Sequence, residues 1–156
     1  MGMLSLIFSK TLATPEELNL PRLKVELTVD EGKKSKAYLD TKGKITVGIG
    51  RNLTDVGLSD EEIDLLWEND VKKVCLALDK TYPWWRNKSQ NVQHVLFNLC
   101  FNMGIETLNN FIITMDLIEK NKFADAGDAL LQSKYATQVG RRAERLAQIL
   151  RNEGNK

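Results

Sequence analysis

Apolar residues along most of the chain recur at spacings of three and four, the repeat of an α-helix, and in one short stretch they alternate instead. Leu20, Leu23 and Leu27 share one helical face, with Pro21 at the start and Gly32 at the end, which predicts a helix over about 21–31. Ile45, Val47 and Ile49 alternate, which predicts a strand, and Lys44, Thr46 and Gly48 then occupy its other face. Asp40-Thr41-Lys42-Gly43 is a turn sequence, so a hairpin precedes about Leu53, with Asp40 at the end of its first strand. Thr54-Asp55-Val56-Gly57 reads as a loop.

Helical spacing then takes over. Ser59-Asp60-Glu61-Glu62 is a capping box, followed by the stripe Ile63, Leu66, Trp67, Val71, Val74 and Leu78, which predicts a long helix over about 59–80. Tyr82-Pro83-Trp84-Trp85 stops it. Ser89 caps a helix through Val92, Val95, Leu96, Leu99 and Met103, closed by Gly104. Further helices are expected at Thr107–Glu119, Ala124–Ser133 and Gly140–Asn152, and Thr14-Pro15-Glu16-Glu17 has the form of a short helix start.

The expected fold class is α+β and mainly helical. Residues 19–156 form one domain, with a small hairpin lobe at about 30–58 and a linking helix at about 59–80. The helical lobe, about 81–154, also takes the 21–31 helix, and residues 1–18 are an N-terminal extension with no assigned role.

Net charge is +1, so the global basic field of a nucleic-acid binder is absent. The acid run Asp60, Glu61, Glu62, Asp64, Glu68, Asp70 has a structural account in the cap and the helix dipole. Cys75 and Cys100 lack metal-ligand spacing and are expected as small buried hydrophobes in a reducing compartment, without a disulfide. Leu4-Ser5-Leu6-Ile7-Phe8 is too short to span a bilayer and lacks the pattern of a secretory signal, so synthesis and retention in the cytoplasm are expected. No metal and no cofactor is implied.

Candidate chemistry gathers near the hairpin. Glu31 lies four residues beyond Leu27, on the same apolar stripe, where lost hydration raises a carboxyl pKa and suits a general acid. The alternative is a helix-end glutamate turned to solvent. Asp40 and the Thr46 hydroxyl are placed to hold a water molecule, or Asp40 only caps its own turn. His94, the single histidine, reads as a surface residue, and Trp84 and Trp85 as a hydrophobic plug between helices.

The frame Glu31-Gly32 … Tyr38-x-Asp40-x-x-Gly43-x-x-Thr46-x-Gly48-x-Gly50 resembles the catalytic motif of the phage-type lysozymes and related endolysins, without a gap. The similarity runs, more weakly, from about Arg22 to Leu150. The resemblance implies a lysozyme-like fold and a muramidase that cleaves the β-1,4 bond of the peptidoglycan glycan strand. Glu31 would be the general acid, with Asp40 and Thr46 holding water. Phe101, Asn102, Thr114 and Arg142 match substrate-binding positions of the family, and Arg142, or its neighbour Arg141, matches an arginine that pairs with the catalytic glutamate.

Inversion at the anomeric carbon is expected with this family, and it needs roughly 6.5–9.5 Å between the carboxyl groups. A monomer is also expected, acting on the wall in phage-mediated lysis after release from the host cytoplasm. The chain departs from the family's habit in its low net charge, its short connection after the hairpin and Arg51, where a histidine is frequent. The rival readings are a lytic transglycosylase and a catalytically silent wall-binding module.

Overall fold

The computed structural model describes residues 18–156, so the helix start expected at Thr14 lies outside the described residues. The chain divides into two compact units, one ending at Asp60 and one from Glu61 to Lys156.

In the first unit, helix α1 (Leu20–Glu31) starts where the sequence provides a cap: the Asn19 side chain accepts from the Arg22 N–H at 3.1 Å. It ends at Gly32, whose φ of 79° suits a residue without Cβ. Strands β1 (Lys34–Leu39), β2 (Ile45–Gly48) and β3 (Arg51–Asn52) make an antiparallel sheet in that order. Leu39 faces Ile45, Tyr38 faces Thr46, and Thr46 also faces Asn52. The pairing slips between Lys34 and Tyr38, which bends a strand locally.

The expected amphipathic stripe of α1 does not form a buried face. Leu20 and Leu23 are half-buried, Leu27 is exposed, and the helix buries none of its residues. The reason lies in Lys24–Asp30, where polar and apolar residues alternate one by one. Val25 and Val29 therefore fall opposite Leu23 and Leu27, and no single face is apolar.

The second unit carries almost the whole of α2 (Asp60–Thr81), a 3-10 turn (Pro83–Asn87), α3 (Gln90–Met103), α4 (Ile105–Leu108), α5 (Ile112–Glu119), α6 (Phe123–Leu131), α7 (Lys134–Val139) and α8 (Arg141–Gly154). Its core is centred on α3, whose Val92, Val95, Leu96 and Leu99 are fully buried with Ala143, Leu146, Ala147 and Leu150 of α8. Gly127 of α6 lets α8 come close: a Cβ there would lie 2.8 Å from the Ala147 carbonyl oxygen. Trp85 is buried in this core, as the plug reading expected, and its indole N–H donates to Asp79 at 2.6 Å.

Two helix expectations need correction. The single helix over Thr107–Glu119 is two, α4 and α5, broken at Asn109-Asn110-Phe111. Asparagine side chains compete with helical bonding, and Asn109 instead accepts from the Tyr82 hydroxyl at 2.6 Å. The short α7 was not expected. It is only 6 residues long and lacks a side-chain cap, so its sequence carries a weak helical signal.

Candidate active site

The candidate catalytic residues Glu31, Asp40 and Thr46 all belong to the first unit, and Phe101, Asn102, Thr114 and Arg142 all belong to the second. Each set is built differently.

Glu31 is the last residue of α1, and it is exposed rather than half-buried, a consequence of the broken stripe described above. Its carboxyl end lies over Gly50. A Cβ built on Gly50 would come within 3.1 Å of Glu31 Oε2 and 3.2 Å of its Cδ and Cγ. Gly50 also holds φ at 72°. The glycine after β2 thus serves two ends: it turns the chain, and it leaves the space that the Glu31 side chain occupies. Sequence reasoning used Gly50 only as part of a motif.

Asp40 closes β1 and builds the turn around itself. Its Oδ1 accepts from the Lys42 N–H and the Lys44 N–H, each at 2.8 Å. Its own N–H donates to the Lys44 carbonyl at 2.9 Å, and its carbonyl accepts from the Gly43 N–H at 3.0 Å. The turn-capping reading is therefore correct, and it does not exclude the catalytic one. Four backbone bonds fix the residue through Oδ1 and the main chain, and Oδ2 has no hydrogen-bond partner among the described residues. A carboxylate oxygen held in place and unspent is an acceptor for water.

Thr46 sits in the middle of β2 and is 4% exposed, whereas its neighbour Ile45 is 48% exposed. Beyond this pair the alternation fades, since Val47, Gly48 and Ile49 are all half-buried. The Thr46 hydroxyl donates to the Lys44 carbonyl at 3.2 Å, so both Asp40 and Thr46 are tied to the same residue. The next loop is fastened as well. Lys44 pairs with Asp55 at 3.0 Å, the Ile45 N–H donates to Thr54 at 2.9 Å, and Arg51 Nη1 donates to the Gly57 carbonyl at 3.2 Å. The Lys44 and Asn52 bonds hold the Asp55 carboxyl below its usual range.

In the second unit Phe101 is exposed at 44% and stacks on Phe97 with centroids 6.0 Å apart, while Trp67 meets it edge-on at 5.8 Å. Asn102 follows it, also exposed. Thr114 is buried at 4% and lines a cavity of about 870 Å³ whose walls include Met103, Phe111, Ile113, Lys134 and Tyr135. Tyr135 is itself buried, and its hydroxyl has no hydrogen-bond partner among the described residues. Burial pushes this phenol up, against a smaller pull from Arg142 and Arg145. Arg142 is half-buried and donates through Nε to Asn98 Oδ1 at 2.7 Å. His94 is exposed on α3, as expected. Among the described residues no cluster of His, Cys, Asp and Glu could hold a metal ion, and no helix is long and apolar enough to cross a membrane.

Comparison with known proteins gives a consistent answer. The family model described as phage lysozyme matches residues 29–152. A probable T4-type lysozyme 2 of Dictyostelium discoideum is 27% identical over 156 aligned residues, covering 81% of this chain and 92% of the relative. A probable T4-type lysozyme 1 of the same organism is 23% identical over 158 residues, covering 82% and 92%. With a small antiparallel sheet followed by helices, and with most of its length matched, the chain belongs to the phage lysozyme family, glycoside hydrolases that act on peptidoglycan.

Proposed function

We propose that the chain is an inverting muramidase that hydrolyses the β-1,4 bond between N-acetylmuramic acid and N-acetylglucosamine. Glu31 gives its proton to the departing glycosidic oxygen. Asp40 accepts a proton from a water molecule that the Thr46 hydroxyl helps to orient, and that water attacks the anomeric carbon from the opposite face. The two carboxyl groups finish the turnover with their protonation exchanged, and solvent restores them. Phe101, Asn102, Thr114 and Arg142 contact the glycan strand. One chain works on one strand, and the setting is bacterial lysis after release from the cell that makes the enzyme.

The observation that carries this reading is the Asp40 turn. Two backbone N–H groups at 2.8 Å immobilise one carboxylate oxygen and leave the other for water. The Thr46 hydroxyl is tied to the carbonyl of the same Lys44 whose N–H holds Asp40, which supports reading the two side chains as one water-holding pair.

Purified peptidoglycan in a zymogram, with product analysis by NMR in the first minutes, tests the proposal. The expected result is clearing, with reducing muramic acid ends that appear first as the α-anomer. Ends that appear first as the β-anomer would overturn inversion. Anhydromuramic ends would make the enzyme a transglycosylase, and no clearing at all would remove the activity.

A further inference from the structure

Lys44 is the residue through which the hairpin holds both Asp40 and Thr46. Its N–H donates to Asp40 Oδ1 at 2.8 Å, and its carbonyl accepts from the Thr46 hydroxyl at 3.2 Å. A turn of the main chain at this one position therefore moves the carboxylate and the hydroxyl relative to each other. Misplacement of reacting groups by about 1 Å can cost on the order of 10²-fold in rate. The Lys44 side chain is itself held. Its ammonium meets Asp55 Oδ1 at 3.0 Å, and Asp55 Oδ2 accepts from the Asn52 amide at 2.9 Å. The Asp55 N–H donates back to Asn52 Oδ1 at 3.0 Å, and Asn52 stands opposite Thr46 in the pairing of β2 with β3. These contacts form a closed circuit within the first unit, from Lys44 through Asp55 and Asn52 to Thr46 and back to Lys44. The main chain follows the same path, since the Ile45 carbonyl accepts from the Leu53 N–H at 2.7 Å.

We infer that Asp55 is a positioning residue: by joining the Lys44 side chain to the Asn52 side chain, it fixes the Lys44 peptide groups that aim Asp40 and Thr46 at one water molecule. The inference rests on the reading of Asp40 and Thr46 as the water-holding pair. The Lys44 and Asp55 side chains are 37% and 53% exposed, and an ion pair so placed contributes little to stability. Its consequence lies in orientation. The Asp55 carboxylate spends one oxygen on each partner, so Lys44 and Asn52 keep a fixed relation across the loop that joins β3 to α2. That loop, Leu53 to Ser59, thereby acts on the reaction without touching the substrate.

The test is a double-mutant cycle on soluble, uncrosslinked glycan strands, with kcat and KM measured separately, per folded molecule and well below the melting temperature. Lys44→Met keeps the peptide groups and the apolar stem and removes only the ammonium. It is expected to lower kcat about twofold to fivefold, the worth of an exposed ion pair, with KM unchanged. Asp55→Ala removes both carboxylate contacts and is expected to lower kcat about threefold to tenfold, again at constant KM. In the double variant, loss of the ammonium should add nothing to loss of the carboxylate. Single variants at wild-type kcat, effects that multiply in the double variant, or effects confined to KM would overturn the inference. Should Asp55→Ala fail to fold, the cycle is run with Asp55→Asn, which removes the charge that holds Lys44, and the same non-additivity is expected. Asp40→Asn, which keeps Oδ1 as an acceptor for the turn, tests the underlying reading and should lower kcat by about 10²–10⁴. A wild-type kcat there would overturn that reading and the inference with it. A collapse there, with Lys44 and Asp55 effects that multiply, would overturn the inference alone.

Discussion

Among the described residues up to Asp60, the Thr46 side chain is the only one nearly inaccessible to solvent, whereas α3 alone buries Val92, Val95, Leu96 and Leu99 completely. The first unit is held by hydrogen bonds between turns: Asp40 to Lys42 and Lys44, Thr46 to Lys44, Asn52 to Asp55. The second is held by contact between apolar side chains on α3, α6 and α8. Hydrogen bonds are directional and individually worth about 0.5–1.5 kcal/mol net, while apolar burial is non-directional and large in sum. A chemical step that needs a carboxylate aimed at a point is therefore better served by the first kind of region. Changes in the first unit should cost activity more than stability, and changes in the core of the second should do the reverse.

The largest expected effect falls on the proposed acid. Glu31→Gln should lower the rate of wall clearing by about 10²–10⁴, the usual worth of general acid catalysis. Because Glu31 is exposed at a helix end, its melting temperature should stay near that of the wild type. A variant that clears walls at nearly full rate would remove Glu31 from the mechanism. A variant that melts early would break the comparison instead.

Leu99→Ala is the counterpart in the second unit. Leu99 is fully buried at the centre of the core, and truncation should cost about 2–5 kcal/mol through lost transfer energy and a residual cavity. Activity per folded molecule at a temperature well below the transition should be close to normal. Denaturant unfolding and a clearing assay on the same sample read both quantities.

A smaller effect sharpens the role of Gly50. Gly50→Ala and Gly48→Ala meet similar backbone strain, since φ is 72° and 69°, and each should cost about 1–2 kcal/mol of stability. They differ in what a Cβ would touch. At Gly48 there is nothing within 4 Å, and at Gly50 the Glu31 carboxyl end is 3.1 Å away. Equal losses of stability with a greater loss of activity for Gly50→Ala are expected. Equal activities would show that Gly50 does not set the position of Glu31.

These cases also indicate what the sequence made legible. The hairpin could be read because its geometry is local: Asp40 and Gly43 carry the turn in their own side-chain and backbone chemistry. The ends of α1 and α3 could be read for the same reason, from Pro21 to Gly32 and from Ser89 to Gly104. What failed depended on weighing one signal against another. Leu20, Leu23 and Leu27 suggested a buried stripe for Glu31, but Val25 and Val29 on the other side divide the apolar surface of that helix. Asn109 and Asn110 were carried inside a helix because Phe111, Met115 and Ile118 kept the period, while the Tyr82–Asn109 bond joins residues far apart in sequence. Asn98 was overlooked, although a lone amide inside the apolar run Val95–Cys100 signals a buried partner elsewhere in the chain. No periodicity names that partner as Arg142.

The smallest effect concerns acid stability and separates the units once more. Asp55 in the first unit and Asp79 in the second both have carboxyl pKa values below the usual range, Asp55 through its bonds to Lys44 and Asn52, Asp79 through its bonds to Arg86 and Trp85. A depressed folded-state pKa means that the folded form favours the ionised carboxylate. Its contribution is then fully present above the unfolded pKa of about 3.9, and it disappears as the pH falls through the lower folded value. Asp55→Asn and Asp79→Asn should each be less stable than the wild type at pH 7 and should converge on it in strong acid. The Asp79 gap should be the wider one at neutral pH. Asp79 accepts from Arg86 through both oxygens and also from the indole N–H of the buried Trp85, so its loss reaches the core, whereas Asp55 ties only a surface loop. Melting temperatures of the three proteins from pH 2 to pH 7 decide it. A gap that widens as the pH falls would give the wrong sign, and an Asp55 gap as wide as that of Asp79 would mean that the hydrogen-bonded unit carries more of the stability than its lack of a core implies.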